Sequence, residues 1–155
     1  MRLLQGLVLT VAVACSSGQS EDGQLEQRAT QAMAALNRAD AAFPDQIATA
    51  LHELGSDLLV RRAAAADAVE TKVLPLVDTY LATLDRAVSA ADAYLATVDD
   101  PESKRSVEAI RKRADGLRKA RGRFAELAQR ARAGASAEEI SQSLLSIGTR
   151  LSVGL

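Results

Sequence analysis

Apolar residues recur along this chain at alternating intervals of four and three. The first run is Leu25, Ala29, Ala32, Leu36, Ala39 and Phe43, with Met33 beside it. Ile47, Leu51, Leu54 and Leu58 continue the rhythm, and Val69, Val73 and Leu76 lead into Val77, Leu81, Leu84, Val88, Ala91, Leu95 and Val98. After Asp100-Pro101 come Val107, Ile110, Ala114, Leu117, Phe124, Ala128 and Ala131, then Ile140, Leu144, Ile147 and Leu151. This is the heptad stripe of helices that bury one face against neighbouring helices. No run alternates apolar and polar residues as a strand would.

The breaks in the pattern divide the chain. The residue before a proline resists the helical region, so Phe43-Pro44 predicts the end of a first helix. Unbroken, residues 45–98 would make a helix of ~81 Å against ~48 Å for the one that follows Pro101. That mismatch predicts a strong bend at Gly55 or Pro75. Gly134 predicts a stop. Ser136-Ala137-Glu138-Glu139 reads as a capping box that starts the last helix.

Charged positions define the central hairpin more closely. In an antiparallel pair, facing residues have position numbers that add to a constant. Val98 with Val107, Leu95 with Ile110, Ala91 with Ala114, Val88 with Leu117 and Leu81 with Phe124 all give 205. Asp99 with Lys104, Asp92 with Arg111 and Asp85 with Arg118 all give 203. Two independent patterns thus predict one turn at Asp100-Pro101, with an acidic row facing a basic row beside the seam. Arg121 interrupts the apolar seam opposite Leu84 and is expected to snorkel at the edge of the core. The predicted fold is all-α: an antiparallel bundle of four or five helices over residues 24–155, built around a hairpin of about residues 76–132.

Composition changes this picture little; charge distribution changes it more. The 155 residues suit one domain. Phe43, Tyr80, Tyr94 and Phe124 are the only aromatics, which argues against base stacking and against nucleic acid as a partner. Residues 21–100 hold 14 acidic and 6 basic groups, whereas residues 101–133 hold 4 acidic and 11 basic. The dipeptides Lys104-Arg105, Arg111-Lys112 and Arg118-Lys119 repeat every seven residues, and the first of each belongs to the hairpin's basic row. Arg105, Lys112 and Lys119, with Arg113, Arg123 and the interrupting Arg121, are left as a candidate surface. An unidentified envelope protein or an anionic polymer would suit it.

The N-terminus suggests an address. Arg2 precedes an apolar run over residues 3–14 that is too short to span a bilayer, followed by small residues. Residues 1–14 therefore read as a signal peptide. Val11-Ala12-Val13-Ala14-Cys15 resembles the lipobox of bacterial lipoproteins, with Ala12 where that family usually carries leucine. Ala12-Val13-Ala14 also fits ordinary signal peptidase; both cut before Cys15 and differ in whether it is acylated. The resemblance implies a diacylglyceryl group on Cys15, anchoring to the lipid bilayer, and, with Ser16 next, an outer-membrane position facing the periplasm. Residues 15–23 would then be the lipidated cysteine and a polar tether.

Catalytic signals are sparse. His52 is the only histidine, and His52-Glu53-Leu54-Gly55-Ser56 lacks the second histidine of the H-E-x-x-H zinc motif. Ser141, Ser143 and Ser146 have no histidine to activate them. No metal or cofactor is expected. The sequence supports a non-catalytic envelope lipoprotein whose bundle is an interaction module. The alternative is a carrier for a small apolar ligand or haem between helices, drawing on Met33, His52 and the pair Tyr80 and Tyr94, two heptads apart.

Overall fold

The computed structural model describes residues 20–60 and 62–154, with side-chain detail for residues 20–56 and 64–149. The signal peptide, Cys15 and the tether through residue 19 lie outside the described residues. The described chain is an all-α antiparallel bundle of four rods, as the heptad pattern predicts. Helix α1 covers Glu21–Val60. The second rod comprises α2 (Arg62–Ala68), one π-helical turn (Val69–Val73) and α3 (Leu74–Leu95). Helix α4 covers Pro101–Arg132 and α5 covers Ala137–Gly154.

Helix α1 does not end at Pro44, contrary to the sequence expectation. It runs on for 40 residues because both flanks of the proline are anchored in the core. Phe43 is 2% and Ile47 6% exposed, while Pro44 itself faces solvent. Burial on either side outweighs the ~3 kcal/mol that an interior proline costs. The apolar stripe crosses Pro44 unbroken as Leu36, Phe43, Ile47, Ala50 and Leu54, so that Leu51 lies at its margin.

The bend expected at Gly55 or Pro75 is at neither. Helix α1 passes through Gly55 to Val60, and the next rod, which begins at Arg62, runs back along it. Contacts on the two sides establish the reversal: Phe43 stacks on Tyr80 with ring centroids 4.1 Å apart, and Lys72 Nζ meets Glu53 Oε2 at 2.7 Å. Pro75 falls in the first turn after the π-helical segment, where the Leu74 amide donates to the Val69 carbonyl, five residues back. A proline has no amide to offer the carbonyl four residues before it, and a widened turn just upstream accommodates that gap.

The hairpin turn stands where the charges put it. Asp100 has an extended backbone and caps α4, its carboxylate accepting from the Glu102 amide at 3.0 Å and from the Ser103 hydroxyl. Pro101 occupies the first helical position, where its fixed φ suits the helix. The first arm is shorter than the seam implied: α3 ends at Leu95, and Val98 lies in the turn, 39% exposed. At the other end of α4, Gly134 takes φ 92°, a left-handed conformation that glycine adopts without strain. The capping box follows: the Ser136 hydroxyl accepts from the Glu139 amide at 3.2 Å, and the Glu139 carboxylate accepts from the Ser136 amide at 2.8 Å.

The α3 rod is the middle of the molecule, packing on both α1 and α4, with Tyr80 stacked on Phe43 of α1. Helix α5, at 18 residues, is ~27 Å long and runs back along the C-terminal half of α4 only. Over residues 101–117, α4 packs on α3 and reaches α1 through the Arg113–Asp40 pair.

Candidate functional site

Helix α4 carries the cationic residues, and its geometry sorts them into three sets. The first is a flank row joined to the rod before it. Lys104 Nζ reaches Asp99 Oδ1 at 2.6 Å, Arg111 holds both carboxylate oxygens of Asp92, and Arg118 donates to Asp85. Those are the three charge pairs the sequence arithmetic put face to face. The same arginines also reach Glu108 and Asp115 three residues earlier on α4. Carboxylate hydrogen bonds push the Arg111 and Arg118 pKa values further up, Asp92 and Asp85 being the main causes.

Arg121 belongs to this row, not to the seam. It faces solvent and grips Asp78 with two nitrogens, one at 3.0 Å. Ala120 takes the buried place, 7% exposed. The reason is the set of neighbours: the C-terminal half of α4 packs on α2 and α5 as well as on α3. Its buried face widens there to take in Ala120 and Leu127, while Arg121 stays on the flank toward Asp78. Arg132 ends the row, donating to Glu70 Oε2 at 2.7 Å and Asp67 Oδ1 at 3.2 Å, and so ties the end of α4 to α2 and the π turn.

The second set is Arg113 alone. The sequence reading left it free on the surface; the structure places it 13% exposed in the junction of α1, α3 and α4. Its guanidinium meets Asp40 Oδ2 at 3.0 Å and lies 5.8 Å from the centroid of the Tyr80 ring. The Tyr80 hydroxyl donates to Asp40 Oδ1 at 2.6 Å. Burial, and then the bond to Asp40, raise the Tyr80 pKa well above its ordinary value, so the phenol keeps its proton. Asp40 thus serves two donors, one from each neighbouring rod. Its carboxylate is a lock among three helices, lying in the section of the bundle that α5 leaves uncovered.

The third set is Arg105, Lys112 and Lys119. All three are exposed and, among the described residues, they make no ion pair or side-chain hydrogen bond. Arg123 differs from them: it is half-buried and leans into an open groove between α4 and α5 shared with Glu126, Arg130 and Glu139. Mixed charge makes that groove a poor anion site.

The remaining sequence candidates are dispersed. His52 is exposed on α1, whereas Met33 is half-buried against the core on the same helix. Nineteen residues separate them, ~28 Å along the axis, too far to share one metal ion. Tyr80 is buried and committed to Asp40, while Tyr94 is half-buried near the end of α3. Ser143 returns its hydroxyl proton to the Glu139 carbonyl. Among the described residues no three His, Cys, Asp or Glu side chains are grouped to hold a metal ion, and no helix is long and apolar enough to cross a membrane.

No family model, curated protein or solved structure matches the chain.

Proposed function

We propose that this chain is a membrane-anchored cell-envelope lipoprotein whose helical bundle is a non-catalytic interaction module. The observation that carries the reading is the N-terminal run: Arg2, twelve mostly apolar residues, Val11-Ala12-Val13-Ala14-Cys15, and a polar stretch before α1. Cys15 is the only cysteine, so an acyl thioether gives it a role that no internal disulfide can. Two or more acyl chains make anchoring stable where one is marginal. The module part rests on α4, which turns one row of cations inward to partners of its own chain and another outward to none.

Replacing Cys15 tests the anchor. Wild-type chain should incorporate a metabolic acyl label and sediment with membranes, and Cys15→Ser should lose both. Unchanged labelling and sedimentation in the variant would overturn the anchoring reading.

A further inference from the structure

On the outward face of α4, Arg105, Ala109, Lys112, Gly116 and Lys119 succeed one another at intervals of four, three, four and three. All five are exposed. Cation and small residue alternate along this run. Seven residues of helix rise ~10.5 Å, so the three charges stand at an even pitch along a line of ~21 Å.

Two features set this stripe apart from an ordinary solvated face. First, its cations go unpaired although carboxylates stand four residues before Lys112 and Lys119. Glu108 and Asp115 turn instead to Arg111 and Arg118 in the flank row. Second, the places between the cations are nearly bare. A Cβ at Gly116 would meet nothing within 4 Å, so no contact within the molecule calls for glycine there. Glycine at an exposed helix interior costs ~1 kcal/mol against alanine. What such positions permit is close approach from outside, backbone to backbone, between flanking charges.

We propose that this stripe docks an acidic α-helix of another protein, one that carries Asp or Glu every seven residues on the face it presents. Only another α-helix shares the pitch of these cations by construction. The molecule already uses the device internally, where Asp85, Asp92 and Asp99 meet Arg118, Arg111 and Lys104 across the hairpin. The outward stripe is the same row of charges without its acidic half. A bilayer is the poorer fit: helices that lie on membranes present large apolar side chains beside their cations, and here those places hold Ala109 and Gly116. The proposal deepens the interaction-module reading and is independent of Cys15, so the acyl-labelling experiment can fail while this one succeeds.

The test places a photoreactive residue at Gly116 of the full chain, in the cells that make it, with Ala41 on the exposed side of α1 as the control position. The expected result is a polypeptide adduct at position 116 and not at 41. Its crosslinked segment should carry acidic residues at seven-residue spacing. Adding Lys112→Glu and Lys119→Glu should reduce the adduct by about tenfold, while Lys112→Arg and Lys119→Arg preserve it. An adduct with phospholipid, glycan or a second copy of the chain would overturn the proposal. So would no adduct at all, or one indifferent to charge reversal.

Discussion

Asp40 is the residue whose role the sequence conceals best. A carboxylate that serves Tyr80 and Arg113 together cannot be removed as cheaply as a surface charge. Asp40→Ala leaves a nearly buried guanidinium without its counter-charge, and should cost about 2–4 kcal/mol in urea unfolding. Tyr80→Phe loses one hydrogen bond and keeps the ion pair, and should cost about 1 kcal/mol. Converting Arg113 to Met in the Asp40→Ala background should recover part of the larger loss. Equal costs for the two single variants, with no recovery, would show that Asp40 acts on neither partner. One signal for Asp40 was present in the sequence: it stands seven residues after Met33 and seven before Ile47, inside the apolar stripe. It was missed because Phe43-Pro44 predicts the end of that helix three to four residues later, which separates Asp40 from Ile47. Arg113 was missed because hairpin arithmetic relates only α3 and α4, whereas Arg113 reaches across to α1.

At the scale of the element, local chemistry was legible wherever a specific residue type does a specific job. The Asp100 and Ser136 caps, the Gly134 stop and the hairpin register all follow from side-chain and backbone requirements acting within a few residues. What failed were the places where tertiary burial overrides a local preference, at Pro44 and Gly55, and the end of the first arm, where the apolar spacing runs past Leu95 to a Val98 that lies exposed in the turn. No glycine or proline stands in residues 57–73 to mark where the second rod folds back on α1. If burial alone holds α1 together through Pro44, restoring the missing amide should strengthen it. Pro44→Ala should stabilise the fold by about 1–3 kcal/mol, and a loss of stability would mean that the proline's shape is required.

The caps also set an acid limit. Hydrogen bonds from the Ser103 hydroxyl and amide hold the Asp100 carboxyl below the usual carboxylate range, and those from the Ser136 amide and hydroxyl do the same for Glu139. A carboxyl that is more acidic in the fold than in the unfolded chain contributes its full stability above the ordinary carboxylate pKa. That contribution is lost as pH falls through the folded value. Between pH 7 and pH 3, the double variant Asp100→Asn/Glu139→Gln should therefore lose less stability than wild type. Equal losses in urea unfolding at the two pH values would show that the caps do not depend on ionisation.

Across the whole molecule, the bundle and its central hairpin were legible because two separate patterns, apolar and charged, agree on one register. The division of labour on α4 was half legible. The sequence separated a facing row from an outward row, and the structure then moved Arg113 and Arg121 out of the free set and left Arg105, Lys112 and Lys119 in it. The packing of α2 and α5 on the second half of α4 accounts for Arg121, and the reach to α1 accounts for Arg113. The sequence arithmetic treats one pair of helices and contains neither.

That division is the centre of the account, and paired charge reversals measure it directly. Arg111→Glu/Arg118→Glu removes the flank ion pairs to Asp92 and Asp85 and those to Glu108 and Asp115, whereas Lys112→Glu/Lys119→Glu reverses two cations that hold no partner among the described residues. Urea unfolding at low salt should show the flank variant less stable, partly restored by Asp92→Arg/Asp85→Arg, and the outward variant unchanged or slightly stabilised. An outward variant destabilised as much as the flank variant would contradict the account.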